Sequence, residues 1–153
     1  MIIYRLTEGK YAKSMDGNGA KLYGGRWNSV GIPMLYTTGF ISLAVLEVII
    51  RISLEEIPSG FMLLKIEVPD SMEIKTIENK NLKKQWKDDI EYSRFMGDSF
   101  LKENKSAVLK VPSAVIDEED NYLINTLHPD FRYIKLKDAE PFDFDKRLFL
   151  RNE

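Results

Sequence analysis

The chain has no cysteine and a single histidine, His128. Without thiols there is no disulfide framework, no thiolate nucleophile and no sulfur-based metal site, so folding does not depend on an oxidising compartment. One imidazole among scattered carboxylates also makes a poor metal centre. No apolar run approaches the ~18 residues that mark a membrane-spanning helix. The start, Met1-Ile2-Ile3-Tyr4-Arg5-Leu6, lacks the basic opening and extended apolar core of a secretory signal. A cytoplasmic protein with no membrane segment is expected. Charge of one sign is missing too: 22 Lys and Arg against 24 Asp and Glu leave a formal net charge of −2. Binding to a phosphate backbone needs a concentrated basic surface. The one basic run, Lys80 to Lys87, leads directly into Asp88, Asp89 and Glu91. That mixture is the pattern of a solvated helix face, and no direct nucleic-acid binding is expected.

What is present fits one globular domain over residues 1–153. With 44% hydrophobic and 30% charged residues, a chain of this length buries roughly two thirds of the surface its unfolded form exposes. Tyr4 to Leu6 reads as a first strand, and Glu8 to Leu22 as a long loop. Gly17-Asn18-Gly19 is no dinucleotide fingerprint, because Leu22 stands where the third glycine belongs. Tyr23 to Asn28 and Met34 to Thr38 read as short strands around the turn at Gly31 and Pro33, with Arg26 and Tyr36 on neighbouring strands. Ser42 is the expected cap of a helix over Leu43 to Arg51. Phe61 to Val68 reads as a strand, and Met72 to Ile77 as a weaker one. Leu82, Trp86 and Ile90 form one helical stripe, and Phe95, Met96, Phe100 and Leu101 a second, with Gly97 a point of separation or bending. Val108 to Val111 is a strand, Glu118 to Leu127 loop and short helix, and Phe131 to Leu136 a last strand. Strands and helices without regular β-α alternation predict an α+β fold, a mixed sheet with flanking helices.

Three residue types in order stand out. Arg26, within Gly24-Gly25-Arg26-Trp27-Asn28, carries a guanidinium fork suited to phosphate oxygens, and Arg5 offers a second. Tyr36 presents a ring able to stack on a cationic heterocycle. Glu47 has Leu43, Ala44 and Ile50 as helical neighbours, so its carboxylate is either held in a pocket or paired with Arg51 one turn on. Ser113, in Val111-Pro112-Ser113, lacks the glycines of a nucleophile elbow. A Ser113–His128 hydrolase is the alternative to a pocket-lining hydroxyl.

These segments together resemble the RES-domain toxins, a family named for its arginine, glutamate and serine. The resemblance is carried by Tyr4-Arg5-Leu6, Gly24 to Asn28, Gly31, Pro33, Leu35-Tyr36, Leu43-Ala44, Glu47, Gly97-Asp98, Val111-Pro112-Ser113, and Asn121 to Asn125 followed by His128-Pro129. Phe100 and Thr126 depart from the family pattern, where a tryptophan and a proline are usual. The resemblance implies a fold similar to ADP-ribosyltransferase toxins and the toxin half of a bacterial toxin–antitoxin pair. It also implies an activity that cleaves the nicotinamide–ribose bond of NAD by hydrolysis or phosphorolysis. Arg26, Tyr36, Glu47 and Ser113 are then the catalytic candidates, and Arg5, Arg26, Tyr36, Ser113 and Asn125 the substrate-binding ones. No metal or cofactor is implied beyond NAD as substrate. The implied partner is an Xre-type antitoxin with a DNA-binding portion, in a complex that admits a homodimer of this chain. ADP-ribosylation of a protein, or a non-catalytic module binding nucleotide or acidic peptide, are the alternatives.

Overall fold

A computed structural model describes residues 1–149. Its strands are β1 (Ile2–Glu8), β2 (Leu35–Thr38), β3 (Phe61–Glu67), β4 (Ile74–Thr76), β5 (Val108–Pro112), β6 (Asp120–Ile124) and β7 (Lys135–Phe142); its helices are α1 (Asn18–Tyr23), α2 (Ile41–Ile49) and α3 (Ile90–Glu103). The strands form a seven-stranded sheet in the order β4-β5-β6-β2-β1-β3-β7. Only β4 and β5 run parallel. The architecture is the expected α+β domain with a mixed sheet and flanking helices.

Period-two alternation sorts the apolar side chains onto two faces. One face carries Ile3, Leu35, Leu64, Ile66, Val108 and Ile124. On the other, Leu109, Val111 and Leu123 pack with Trp27, Phe100 and Leu101 beneath α3, while Leu6 and Leu63 pack with Ala44 and Val48 beneath α2. The sheet is nearly severed between these two clusters. β1 pairs with β3 along its whole length, but meets β2 only where Tyr4 faces Thr38.

Several expectations need correction. Tyr23 to Asn28 is not a strand: α1 ends at Gly24, whose φ of 72° is left-handed, and a tight turn follows, closed by the Gly25 amide donating to the Asn28 carbonyl. Arg26 therefore sits on a turn and not on a strand beside Tyr36. The helix α2 begins at Ile41, inside which Ser42 caps nothing; the Thr38 hydroxyl instead fixes the entry by donating to the Phe40 carbonyl at 2.7 Å. Leu82, Trp86 and Ile90 do not share a helix. Left-handed Gln85 separates two short 3-10 turns, and the lysines around them pair with Glu78, Asp89 and Asp117. The helix α3 runs unbroken through Gly97. Glu118 to Leu127 contains β6, and Phe131 to Leu136 begins as a 3-10 turn before β7.

Candidate functional site

The site forms at the seam between the α2 and α3 clusters, where the sheet is thinnest. Tyr4, Thr38, Asn121 and Val111 lie in one cross-strand row. Above this row α2 presents Glu47, half-buried, whose Oε1 accepts from Nδ2 of Asn121 at 3.0 Å. Arg51 does not pair with that carboxylate. Its Nε donates to the Glu47 main-chain carbonyl at 2.8 Å, which leaves the acid free of the helical ion pair its spacing allows.

Tyr36, from β2, links the other candidates. Its hydroxyl donates to Oδ1 of Asn28 at 2.6 Å and accepts from the Trp27 amide at 3.0 Å. Its carbonyl accepts from Nη1 of Arg5 at 3.0 Å, a guanidinium standing where a β1 amide would bond in a regular ladder. Gly25 is required for the bond between the Tyr36 hydroxyl and Asn28: a Cβ there would lie 2.7 Å from Cζ of Tyr36 and 2.9 Å from Oδ1 of Asn28. Burial raises the Tyr36 pKa, against a smaller opposing effect from the Trp27 amide. The phenol therefore keeps the proton it donates. Asn28, fully buried, donates in turn to the carbonyls of Ala20, Ser29 and Ile32.

The two candidate guanidiniums sit differently: Arg5 lies against the Tyr36 carbonyl, and Arg26 lies against Trp86 and Lys87. Burial, with Arg51 nearby adding to it and Asp16 opposing, lowers the Arg5 pKa from 12.5 to about 10, so the group stays cationic at neutral pH. Its Nε is buried and has no hydrogen-bond partner. A cation enclosed in this way is stabilised by any anion that reaches it. Arg26 lies over the Trp86 ring, 5.8 Å from its centroid, and Nη1 donates to the Lys87 carbonyl at 2.8 Å. Three side chains of α3 hold its turn: Ser93 on the Arg26 carbonyl, Arg94 on the Gly25 carbonyl, and Asp98 on the Ser29 amide and hydroxyl.

The remaining candidates are placed differently. Ser113 is fully buried just beyond β5, its Oγ accepting from the amides of Val115 and Ile116 at 3.0 and 3.1 Å. It organises a turn that is tied to the Arg26 neighbourhood through the Lys87–Asp117 pair. His128 does not face it. Nδ1 of His128 accepts from the Asp130 amide at 3.0 Å, so the serine–histidine alternative has no geometry. Asn125 is not brought to the cluster: it lies past the opposite end of β6, with Nδ2 on Oδ1 of Asn104 and Oδ1 on the Leu127 amide. Phe100 is a core residue, 2% exposed, and Thr126 is a loop residue bonded to the Asp16 carbonyl. Asn121, which bonds the candidate Glu47, was not a candidate from the sequence, because its segment did not read as a strand. Among the described residues no group of three or more His, Cys, Asp or Glu side chains is arranged to hold a metal ion, and no helix is long and apolar enough to cross a membrane.

Residues 2–145 match the RES domain. The chain belongs to the RES-domain family. It is 38% identical over 152 residues to Toxin Res of Photorhabdus laumondii, covering 97% of each chain. It is 34% identical over 141 residues to the Prs ADP-ribosylating toxin of a Sphingobium species, covering 90% of this chain and 88% of that one. The crystal structure of the M. tuberculosis MbcT–MbcA toxin–antitoxin complex contains a chain that superposes with a TM-score of 0.74 at 19% identity, covering 96% of this chain and 85% of that chain. At that identity the likeness establishes the fold. This RES domain is thus related to the toxins of RES-type toxin–antitoxin systems.

Proposed function

We propose that this RES domain is the toxin of a toxin–antitoxin pair and destroys NAD by breaking the bond between nicotinamide and ribose, with water or phosphate as acceptor. The observation that carries the reading is a half-buried carboxylate without an ion pair, Glu47 held on Asn121; an enclosed cation, Arg5, whose Nε has no partner, supports it. Nicotinamide leaves NAD as a cationic group becoming neutral, so it needs no general acid. The ribose does need help, because positive charge develops at its anomeric carbon. A fixed carboxylate opposes that charge, as in glycoside hydrolysis. Arg5 and Arg26 would hold the pyrophosphate, and the Tyr36 ring would stack on nicotinamide. Ser113 has its Oγ lone pairs on two amides, so its hydroxyl proton is what it can offer a phosphate or ribose oxygen. The likeness to an ADP-ribosyltransferase fold belongs to this same reading.

A protein acceptor is the second reading, favoured by the relative that bears the name Prs ADP-ribosylating toxin. Product analysis separates them: free ADP-ribose for water, an ADP-ribose phosphate ester for phosphate, and protein-bound ADP-ribose for a protein nucleophile. No nicotinamide release with any acceptor would leave the non-catalytic binding module instead.

An Xre-type antitoxin that covers the seam is the proposed partner, acting in the cytoplasm. Supporting it, Tyr23, Val30 and Phe95 are 82%, 65% and 68% exposed around the Arg26 turn. An apolar rim beside cationic side chains suits a partner segment that ends in an anion. Growth and NAD content on expressing this chain alone, then with its neighbouring gene product, test the pairing.

A further inference from the structure

Three buried side-chain atoms among the described residues have no hydrogen-bond partner: Nε of Arg5, Oε2 of Glu119 and Oδ1 of Asn121. The third is informative because its orientation is forced. An ionised carboxylate only accepts, so the amide atom facing Glu47 must be the nitrogen, as the 3.0 Å contact has it. That leaves Oδ1 of Asn121 as a bare acceptor, buried in the strand row beneath Glu47. Two acceptors then lie side by side, the Glu47 carboxylate and the Asn121 carbonyl, and no described residue donates to the second. Buried acceptors are rarely left without a donor. The partner that fits both is a pair of neighbouring hydroxyls.

We propose that Asn121 is a substrate-binding and positioning residue: Nδ2 orients the Glu47 carboxylate, and Oδ1 accepts from a hydroxyl of the ribose that carries the leaving group. This rests on the NAD-cleaving reading above. One amide then reads the sugar and aims the acid that stabilises it. A site built to accept from a hydroxyl rejects the analogue lacking it, since the buried acceptor is left unpaired.

The test uses the whole chain with NAD and its 2′-deoxy and 3′-deoxy analogues on the nicotinamide ribose, comparing wild type with Asn121→Ala. The intrinsic lability of each sugar cancels when the NAD-to-analogue ratio of kcat/KM is compared between proteins. Expected is a wild-type preference for NAD that shrinks by about 10-fold or more in Asn121→Ala for one analogue. Asn121→Asp keeps the shape but sets a second carboxylate against Glu47, so the two share a proton and the acidic limb of the pH–rate profile moves up. A role in folding alone would leave the selectivity ratio unmoved, and a Glu47 with no part in the rate would leave the acidic limb unmoved. Unchanged selectivity for both analogues in folded Asn121→Ala, or an unshifted acidic limb in Asn121→Asp, would overturn the proposal. A wild type that leaves NAD intact would instead overturn the functional reading on which it rests.

Discussion

Replacing Gly97 by alanine should damage both stability and function, although an interior helix position ordinarily gains from that change. The usual gain is about 1 kcal/mol. Here a Cβ would lie 2.6 Å from the Trp27 carbonyl carbon, closer still to its oxygen, and 3.0 Å from the Trp27 Cβ. Bringing that carbon out to the 3.4 Å of ordinary contact requires α3 and the Arg26 turn to part by at least about 0.8 Å. Overpacking of this kind costs ~1–3 kcal/mol. The parting also stretches the Ser93, Arg94 and Asp98 contacts to the turn, each worth ~1 kcal/mol. The net expectation is a loss of about 2–4 kcal/mol in urea unfolding. Nicotinamide release should fall as well, because Trp27 carries the amide that holds the Tyr36 hydroxyl. Gly19→Ala is the control: a Cβ there meets nothing within 4 Å, so stability should hold or rise. A Gly97→Ala protein as stable as wild type, with full turnover, would refute the close-approach reasoning.

Tyr36→Phe should cost about 1–3 kcal/mol in chemical denaturation, since it strips the Trp27 amide of its acceptor and Asn28 of a donor. Arg5→Met separates stability from function. With its folded pKa at about 10, below the ordinary 12.5, the cost of burying the Arg5 charge is fully present at every pH below 10 and fades only as pH climbs towards 12.5. At pH 7 the substitution should therefore shift unfolding by less than ~1 kcal/mol, while NAD no longer raises the Tm; a large loss of stability would contradict this. Arg26→Lys keeps the charge but loses the planar fork, so KM for NAD should rise while the unfolding midpoint moves little.

Most of the core was legible because alternation in β3 and β5 and the apolar face of α2 each obey one period. The site was legible only where a residue's chemistry outweighed its context. Glu47 stood out as an acid among apolar neighbours, and Arg26 by its glycines. Asn121 was hidden for a physical reason: Asp120 and Asn121 are residue types that strands disfavour, and the asparagine that obscures β6 is the one that holds Glu47. A residue whose side chain holds another in place can break local rules in this way. The Gly24–Asn28 segment misled for a related reason. Its glycines serve a turn that is held by Tyr36 and by α3, the latter remote in sequence. Gly97 likewise read as a break in a helix, whereas its missing side chain admits the Trp27 backbone.

The central claim is that the Glu47 carboxylate, aimed by Asn121 over the strand row, stabilises charge developing on the NAD ribose. The direct measurement is nicotinamide release from NAD by wild type and Glu47→Gln, with matched thermal unfolding curves. The expected result is turnover by wild type and a rate reduced about 10²–10³-fold in the folded variant, because the amide keeps the shape and loses the charge. Near-normal turnover by folded Glu47→Gln would contradict the claim.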